Sequence, residues 1–195
     1  MYEAWGKRAL DIVLSALLLA MLLPVMAGVA VAVWRCLGRP VLFVQRRAGR
    51  AGRPFPLPKF RSMRPGDAPD GERLTPFGRR LRASGLDELP QLLCVLRGQM
   101  SLIGPRPLPP RYLLHYSPRQ AIRLRVRPGL LGPGVAAGRN AVPWTTRLEL
   151  EAAYAARRAT LRDDLRVATA SVKVWLSGQG AEAPGHDTMP PFTEE

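Results

Sequence analysis

Histidine and cysteine are almost missing from this sequence. It has two histidines, His115 and His186, and two cysteines, Cys36 and Cys94. A Ser-His-Asp or Cys-His mechanism therefore has little raw material. The cysteines lie far apart, with no CxxC unit and no Cys/His cluster at zinc spacing, so both read as reduced, partly buried side chains. Acidic residues are also scarce: 15 Asp and Glu stand against 29 Lys and Arg, a net charge of +14. Such a balance points to polyanionic partners: nucleic acid, anionic lipid headgroups or phosphorylated substrates. No helix-turn-helix, zinc finger or RNA-binding aromatic motif is recognisable, so nucleic acid is not an expected partner.

Charge is wholly missing from Ile12 to Trp34. As a straight helix this run is long enough to cross the hydrocarbon core of roughly 30 Å. It is longer than the apolar region of a usual signal peptide. Lys7 and Arg8 precede it, and Arg35, Arg39, Arg46 and Arg47 follow. Both basic flanks favour the cytoplasmic side, which a simple span does not allow. Pro24, near the middle, removes a backbone donor and favours a kink. The expectation is a re-entrant helix broken at Pro24, with a transmembrane helix as the alternative.

Downstream, Val41–Gln45 is apolar and β-prone, a glycine-containing turn follows, and Phe55, Leu57 and Phe60 alternate among prolines; the pattern predicts a short, irregular β-hairpin. Leu86, Leu89, Leu92, Leu93 and Leu96 form a helical stripe with Asp87 as a plausible N-cap and Pro90 in the first turn. Ser117-Pro118-Arg119-Gln120 carries a capping-box start. A long helix, continuous or with one break, is predicted from about Thr146 to Ser177. Its Leu161, Leu165, Ala168, Val172 and Trp175 line one face, flanked by Arg158, Arg162, Arg166 and Lys173. That face suits a membrane interface or an ordinary core equally.

The acids are unevenly spread. None lies between Asp11 and Asp67, and none between Glu88 and Glu149, a stretch rich in arginine. Asp87-Glu88 is therefore a lone acidic pair in a cationic region. Two adjacent carboxylates at a helix start can divide roles: one stays ionised to attack phosphorus or bind Mg²⁺, and the other acts as base or orients its neighbour. Arginines hold phosphate oxygens in bidentate fashion. On spacing alone, a helix cap with a dipole-compensating neighbour explains the pair as well.

Several ordered blocks turn the balance. They are Lys7-Arg8 with Asp11, Lys59-Phe60-Arg61-Ser62-Met63, Thr75-Pro76-Phe77-Gly78-Arg79, Leu86–Leu92, Met100–Pro107, Arg127-Pro128-Gly129 and Gly138-Arg139-Asn140. From Lys7 to Gly178 the chain resembles the bacterial sugar transferase family, the small monotopic phosphoglycosyl transferases. The resemblance implies an α+β, mostly helical fold: a re-entrant N-terminal segment (1–38) and a small catalytic domain (39–180) with a β-hairpin and interfacial amphipathic helices. The proline-containing stretch beyond it (181–195) reads as a disordered tail. It implies transfer of sugar-1-phosphate from a UDP-sugar to a polyprenyl phosphate such as undecaprenyl phosphate, with release of UMP, at the cytoplasmic face of the bacterial inner membrane. Asp87 is then the nucleophile, forming a covalent phosphosugar intermediate, and also the ligand of the cofactor Mg²⁺. Glu88 is its partner toward the acceptor, and Lys59, Arg82, Arg106 and Arg139 hold substrate phosphates or the UDP-sugar. A family acid matches Asp163 or Asp164, another matches Glu151, and Gly132–Ala137 departs from the family's Trp/Gln/Asn-rich segment. The competing expectation is a catalytically degraded homologue that serves as a basic, membrane-lipid-bound adaptor.

Overall fold

The structure, a computed structural model, describes residues 2–180 and Phe192. The rest of the expected tail lies outside the described residues. A single helix, α1 (Lys7–Leu37), dominates the N-terminus. By length and composition it is apolar enough to cross a membrane, and only 6% of its most apolar window is buried against the rest of the chain. The break expected at Pro24 is absent as an interruption, because α1 runs continuously through it. A proline inside a helix removes one intrahelical hydrogen bond, and here the neighbouring turns remain helical.

One stripe of α1 lies on the remainder of the protein. Near its start Asp11 is buried and accepts hydrogen bonds from Ser101 Oγ (3.0 Å) and Leu102 N (2.9 Å). Arg8 donates to the carbonyls of Val95 (2.7 Å) and Leu96 (2.9 Å). Near the other end Val33 packs with Phe60 and Leu81, and Arg61 donates to the carbonyls of Leu37 (2.5 Å) and Gly38 (2.6 Å). Arg8 and Arg61 thus cap helix C-termini, where free carbonyls and the helix dipole favour a cation. Both ends of α1 are bonded to the same domain. Its other face, including Leu14, Leu17, Met21, Val31 and Trp34, is exposed.

The predicted hairpin is present: β1 (Leu42–Ala48) pairs antiparallel with β2 (Pro54–Phe60) over seven residue pairs. Alternation puts Phe43, Gln45 and Arg47 on one face, opposite Lys59, Leu57 and Phe55. Phe55 and Leu57 enter the main core with Leu92, Val95, Met100 and Leu130. The short helices α2 (Asp70–Arg73) and α3 (Pro76–Ser84) follow; Thr75 caps α3 by accepting from Gly78 N at 3.1 Å. Gly85, at φ 70°, ends α3 in the left-handed region open to glycine.

The stripe expected to start a helix at Asp87 is instead a 3₁₀ segment (Leu86–Gln91) leading into a short α4 (Leu92–Leu96). Asp87 caps nothing and is buried in the first turn. The left-handed turn at Gly85 and the missing donor of Pro90 favour the tighter coil. β3 (Ser101–Ile103) pairs in parallel with β4 (Gly129–Leu131). Between them the capping box forms as expected, with Ser117 N donating to Gln120 Oε1 (3.1 Å) and Gln120 N to Ser117 Oγ (3.2 Å). The segment it starts, Gln120–Arg125, is 3₁₀ rather than α.

After the short α5 (Pro133–Ala136), the expected long helix divides into α6 (Trp144–Ala156) and α7 (Leu161–Leu176). Thr160 caps α7 by accepting from Asp163 N at 3.1 Å. Trp175 packs toward the main core, while Leu161, Leu165, Val172 and Leu176 are exposed. Both cysteines are free; Cys94 is buried and Cys36 exposed.

Candidate active site

A cleft of about 410 Å³ opens beside the hairpin, and all six residues expected to form the site line it: Lys59, Arg82, Asp87, Glu88, Arg106 and Arg139. Eight cationic side chains face three carboxylates there, Asp70, Asp87 and Glu88. Such an excess suits a ligand carrying several negative charges.

The two adjacent carboxylates have different surroundings. Glu88 is clamped by Arg106, which donates through both terminal nitrogens, one of them at 3.2 Å. Burial pushes the Glu88 carboxyl up, but the charge and hydrogen bonds of Arg106 outweigh it and hold the group below its ordinary range. Asp87 is equally buried and accepts no hydrogen bond among the described residues. Burial, then repulsion from Glu88, pushes it up to about 6, against the pull of Lys59, Arg82 and Arg106. At neutral pH Asp87 is therefore ionised, with its oxygens free toward the cleft.

Lys59 is supplied by β2, with its ammonium 5.5 Å from the Phe43 ring centre. Burial, then Arg82, lowers its pKa to about 8. Arg82, in the last turn of α3, donates from Nε to Ser62 Oγ at 2.8 Å. Arg139 donates to the carbonyls of Arg82 (2.9 Å) and Ala83 (3.2 Å), closing the C-terminus of α3. It lines the cleft and also fixes the turn that carries the acidic pair.

Behind Arg106 is a sealed ion pair. Arg123 and Glu151 are bonded through Nε (2.9 Å) and a terminal nitrogen. Glu151 also accepts from Arg106 N (3.1 Å), and Arg123 donates to Arg106 O (2.5 Å). The longer Glu side chain on α6 therefore reaches the backbone that carries Arg106.

A family model described as bacterial sugar transferase matches residues 2–178. The chain belongs to the bacterial sugar transferase family. It is 38% identical to the uncharacterized sugar transferase EpsL of Bacillus subtilis over 193 residues, covering 96% of this chain and 95% of the relative. It is 45% identical over 137 residues to the UDP-glucose:undecaprenyl-phosphate glucose-1-phosphate transferase of Caulobacter vibrioides, covering 65% of this chain and 51% of that protein. With the undecaprenyl-phosphate galactose phosphotransferase of Salmonella typhimurium it shares 34% identity over 198 residues, covering 90% of this chain and 41% of that one. This sugar transferase thus spans nearly all of EpsL, but only about half or two fifths of the two longer relatives.

The tertiary structure also separates Asp163 from Asp164. Asp164 is buried and bonded to Lys7 (2.5 Å), Tyr2 (2.6 Å) and Tyr154 (2.6 Å). It ties α7 to the start of α1 and does not line the cleft; Asp163 is at the exposed start of α7. Sequence reasoning missed Arg47 and Arg147, which line the cleft. Arg47 read as a topological flank, and Arg147 as one arginine in a rich stretch. The alternation of β1, which puts Arg47 on the same face as Phe43 and its cross-strand partner Lys59, was the available signal for Arg47; Arg147 had none.

Proposed function

We propose that this sugar transferase moves sugar-1-phosphate from a UDP-sugar to a polyprenyl phosphate, undecaprenyl phosphate in its named relatives, at the cytoplasmic face of the inner membrane. The observation that carries this is the unequal acidic pair, with Asp87 free and Glu88 clamped, in a cationic cleft beside an apolar helix. Asp87 attacks the β-phosphorus of the donor; the bond to the bridging oxygen breaks, and UMP leaves with that oxygen. The acyl-phosphate is then attacked by an oxygen of the lipid phosphate, which releases Asp87 as carboxylate and forms the diphosphate-linked sugar. Lys59, Arg82, Arg106 and Arg139 neutralise the charge that develops. Glu88 is a weak base while Arg106 holds it ionised, so its contribution is to orient Arg106 and to raise Asp87.

Mg²⁺ fits this site in one way. No cluster of three or more potential ligands occurs among the described residues, but the free Asp87 carboxylate supplies one, and Mg²⁺ commonly takes its remaining ligands from substrate phosphates and water. Bound there, it would supply charge neutralisation at the diphosphate. Continued UMP release should require UDP-sugar, polyprenyl phosphate and Mg²⁺ together, whereas donor and Mg²⁺ without the lipid should give no more than one equivalent of UMP per enzyme. No release from a broad panel of UDP-sugars would exclude the assignment.

The pair also has a pH signature. The kcat/KM for forming the phosphosugar adduct should fall as pH drops through about 6, because Asp87 must be ionised to attack. Glu88→Gln removes a charge that raises Asp87, so the acid limb should move to lower pH. An unmoved limb would separate Glu88 from the nucleophile.

We also propose monotopic insertion, with both ends of α1 on the cytoplasmic side. The support is that both ends are bonded to one domain, through Arg8 and Asp11 at one and Arg61 at the other, while the intervening outer face is apolar. A span would pull one of these ends away from its partners. Cysteines introduced singly at Gly6 and Arg39, in a variant whose native Cys36 is Ser, should both be protected from an impermeant thiol reagent in intact cells. Labelling of either would overturn the topology.

A further inference from the structure

Arg147, on α6, is the least compensated charge in the cleft wall. It is 2% exposed, and its Nε is sealed from solvent with no hydrogen-bond partner. Among the described residues no protein group accepts from its guanidinium. The carboxylate one turn along the helix, Glu151, is engaged through one oxygen by Arg106 N and through the other by Arg123. Two buried guanidiniums therefore share a neighbourhood with a single carboxylate, and the pairing leaves Arg147 out. Its position is built rather than incidental. The guanidinium lies over the Trp144 ring, 5.5 Å from the centroid. Gly134 packs against its stem, where a Cβ would come within 2.8 Å of Arg147 Cγ and 2.9 Å of Nε. A buried, unpaired and held cation destabilises the ligand-free protein unless an anion arrives to meet it.

We propose that Arg147 is a phosphate-binding residue, which donates to an anionic oxygen of a substrate phosphate at the Trp144 end of the cleft. The proposal deepens the sugar-phosphate transfer proposed above and rests on it for the identity of the phosphate, which belongs to the nucleotide donor or to the lipid acceptor. The guanidinium fork suits a phosphate in either.

The test compares full-length wild type, Arg147→Met and Arg147→Lys in detergent micelles. Each is titrated separately with UDP and with undecaprenyl phosphate, and its ligand-free melting temperature is measured. Arg147→Met should bind at least one of the two about 10- to 100-fold more weakly. Its ligand-free melting temperature should be no lower than that of wild type, because an unpaired buried charge has been removed. Lysine should recover part of the affinity, since it keeps the charge without the fork. Gly134→Ala, which crowds the side chain and keeps the charge, should weaken the same ligand. Loss confined to UDP assigns Arg147 to the donor, loss confined to the lipid assigns it to the acceptor, and loss of both assigns it to a phosphate position they share. Unchanged affinity for both overturns the proposal. So does a lower melting temperature whose binding defect lysine leaves unrepaired, the mark of a structural arginine. Where wild type binds neither ligand, sugar-phosphate transfer fails by itself. Inorganic pyrophosphate then decides: weaker binding by Arg147→Met than by wild type supports a phosphate site, and equal or absent binding overturns it.

Discussion

Asp87→Asn should lower UMP release by on the order of 10⁴-fold or more, since removing a nucleophile leaves only binding and electrostatic contributions. The isosteric amide keeps the shape of the site but cannot attack phosphorus. Incubated with a competent UDP-sugar and no acceptor, wild type should gain the mass of a phosphosugar on Asp87, and the variant should gain none. The same substitution should leave the fold intact. Burial and Glu88 raise the Asp87 pKa above its ordinary value, so its ionised form weakens the folded state above about pH 6, and the neutral amide removes that penalty. At pH 8 the variant should therefore melt no lower than wild type. Full activity without an adduct would exclude Asp87 as the nucleophile; a collapse in melting temperature would show that its role is structural.

The largest loss of stability is expected from Arg123→Met. The side chains of Arg123 and Glu151 are 2% and 1% exposed, so solvent screens this pair very little. Removing the arginine breaks a buried ion pair and strips the carboxylate of its side-chain hydrogen bonds, which costs about 3–5 kcal/mol. For a chain of this size that lowers the melting temperature by roughly 10 °C. The double variant Arg123→Met, Glu151→Met should recover only part of the loss, because an apolar pair replaces the ion pair while Arg106 N loses its acceptor and Arg147 its neighbouring carboxylate. Turnover should fall in the single variant even where it remains folded, since both members of the pair hold the Arg106 backbone and Arg106 holds Glu88. Thermal unfolding measured beside UMP release separates the two effects. Arg123 and Arg147 share one helix-side neighbourhood, yet their removal should move stability differently: Arg123 has the carboxylate and Arg147 does not.

The features carried by local pattern were legible in the sequence. The charge-free run of α1 announces itself by composition. The hairpin follows from alternation around a glycine turn, and the Ser117–Gln120 box from two residues three apart. Asp87 and Glu88 stood out because acids are missing on either side of them, and the ordered blocks around them pointed to the family. Helix type was harder to read. Leu86–Gln91 carries apolar spacing and Gln120–Arg125 a helix-start signal, both compatible with α-helix, yet both coil as 3₁₀; in the first, the left-handed turn at Gly85 and the missing donor of Pro90 outweigh a periodic stripe in a short segment.

The contrast within the acidic pair shows most clearly where local pattern stops. Sequence by itself determined that two carboxylates sit together among arginines, beside a long apolar helix. Only the tertiary structure decided that Arg106, 18 positions away, clamps Glu88 and leaves Asp87 free, and that Glu151 takes Arg123 and leaves Arg147 unpaired. It likewise chose Asp164 over Asp163 as the buried anchor, and bonded both ends of α1 to one domain. Hydrophobic period and capping act between residues a few positions apart. Which cation meets which carboxylate depends on distances and burial created only when distant segments pack, and in this protein those pairings set the chemistry.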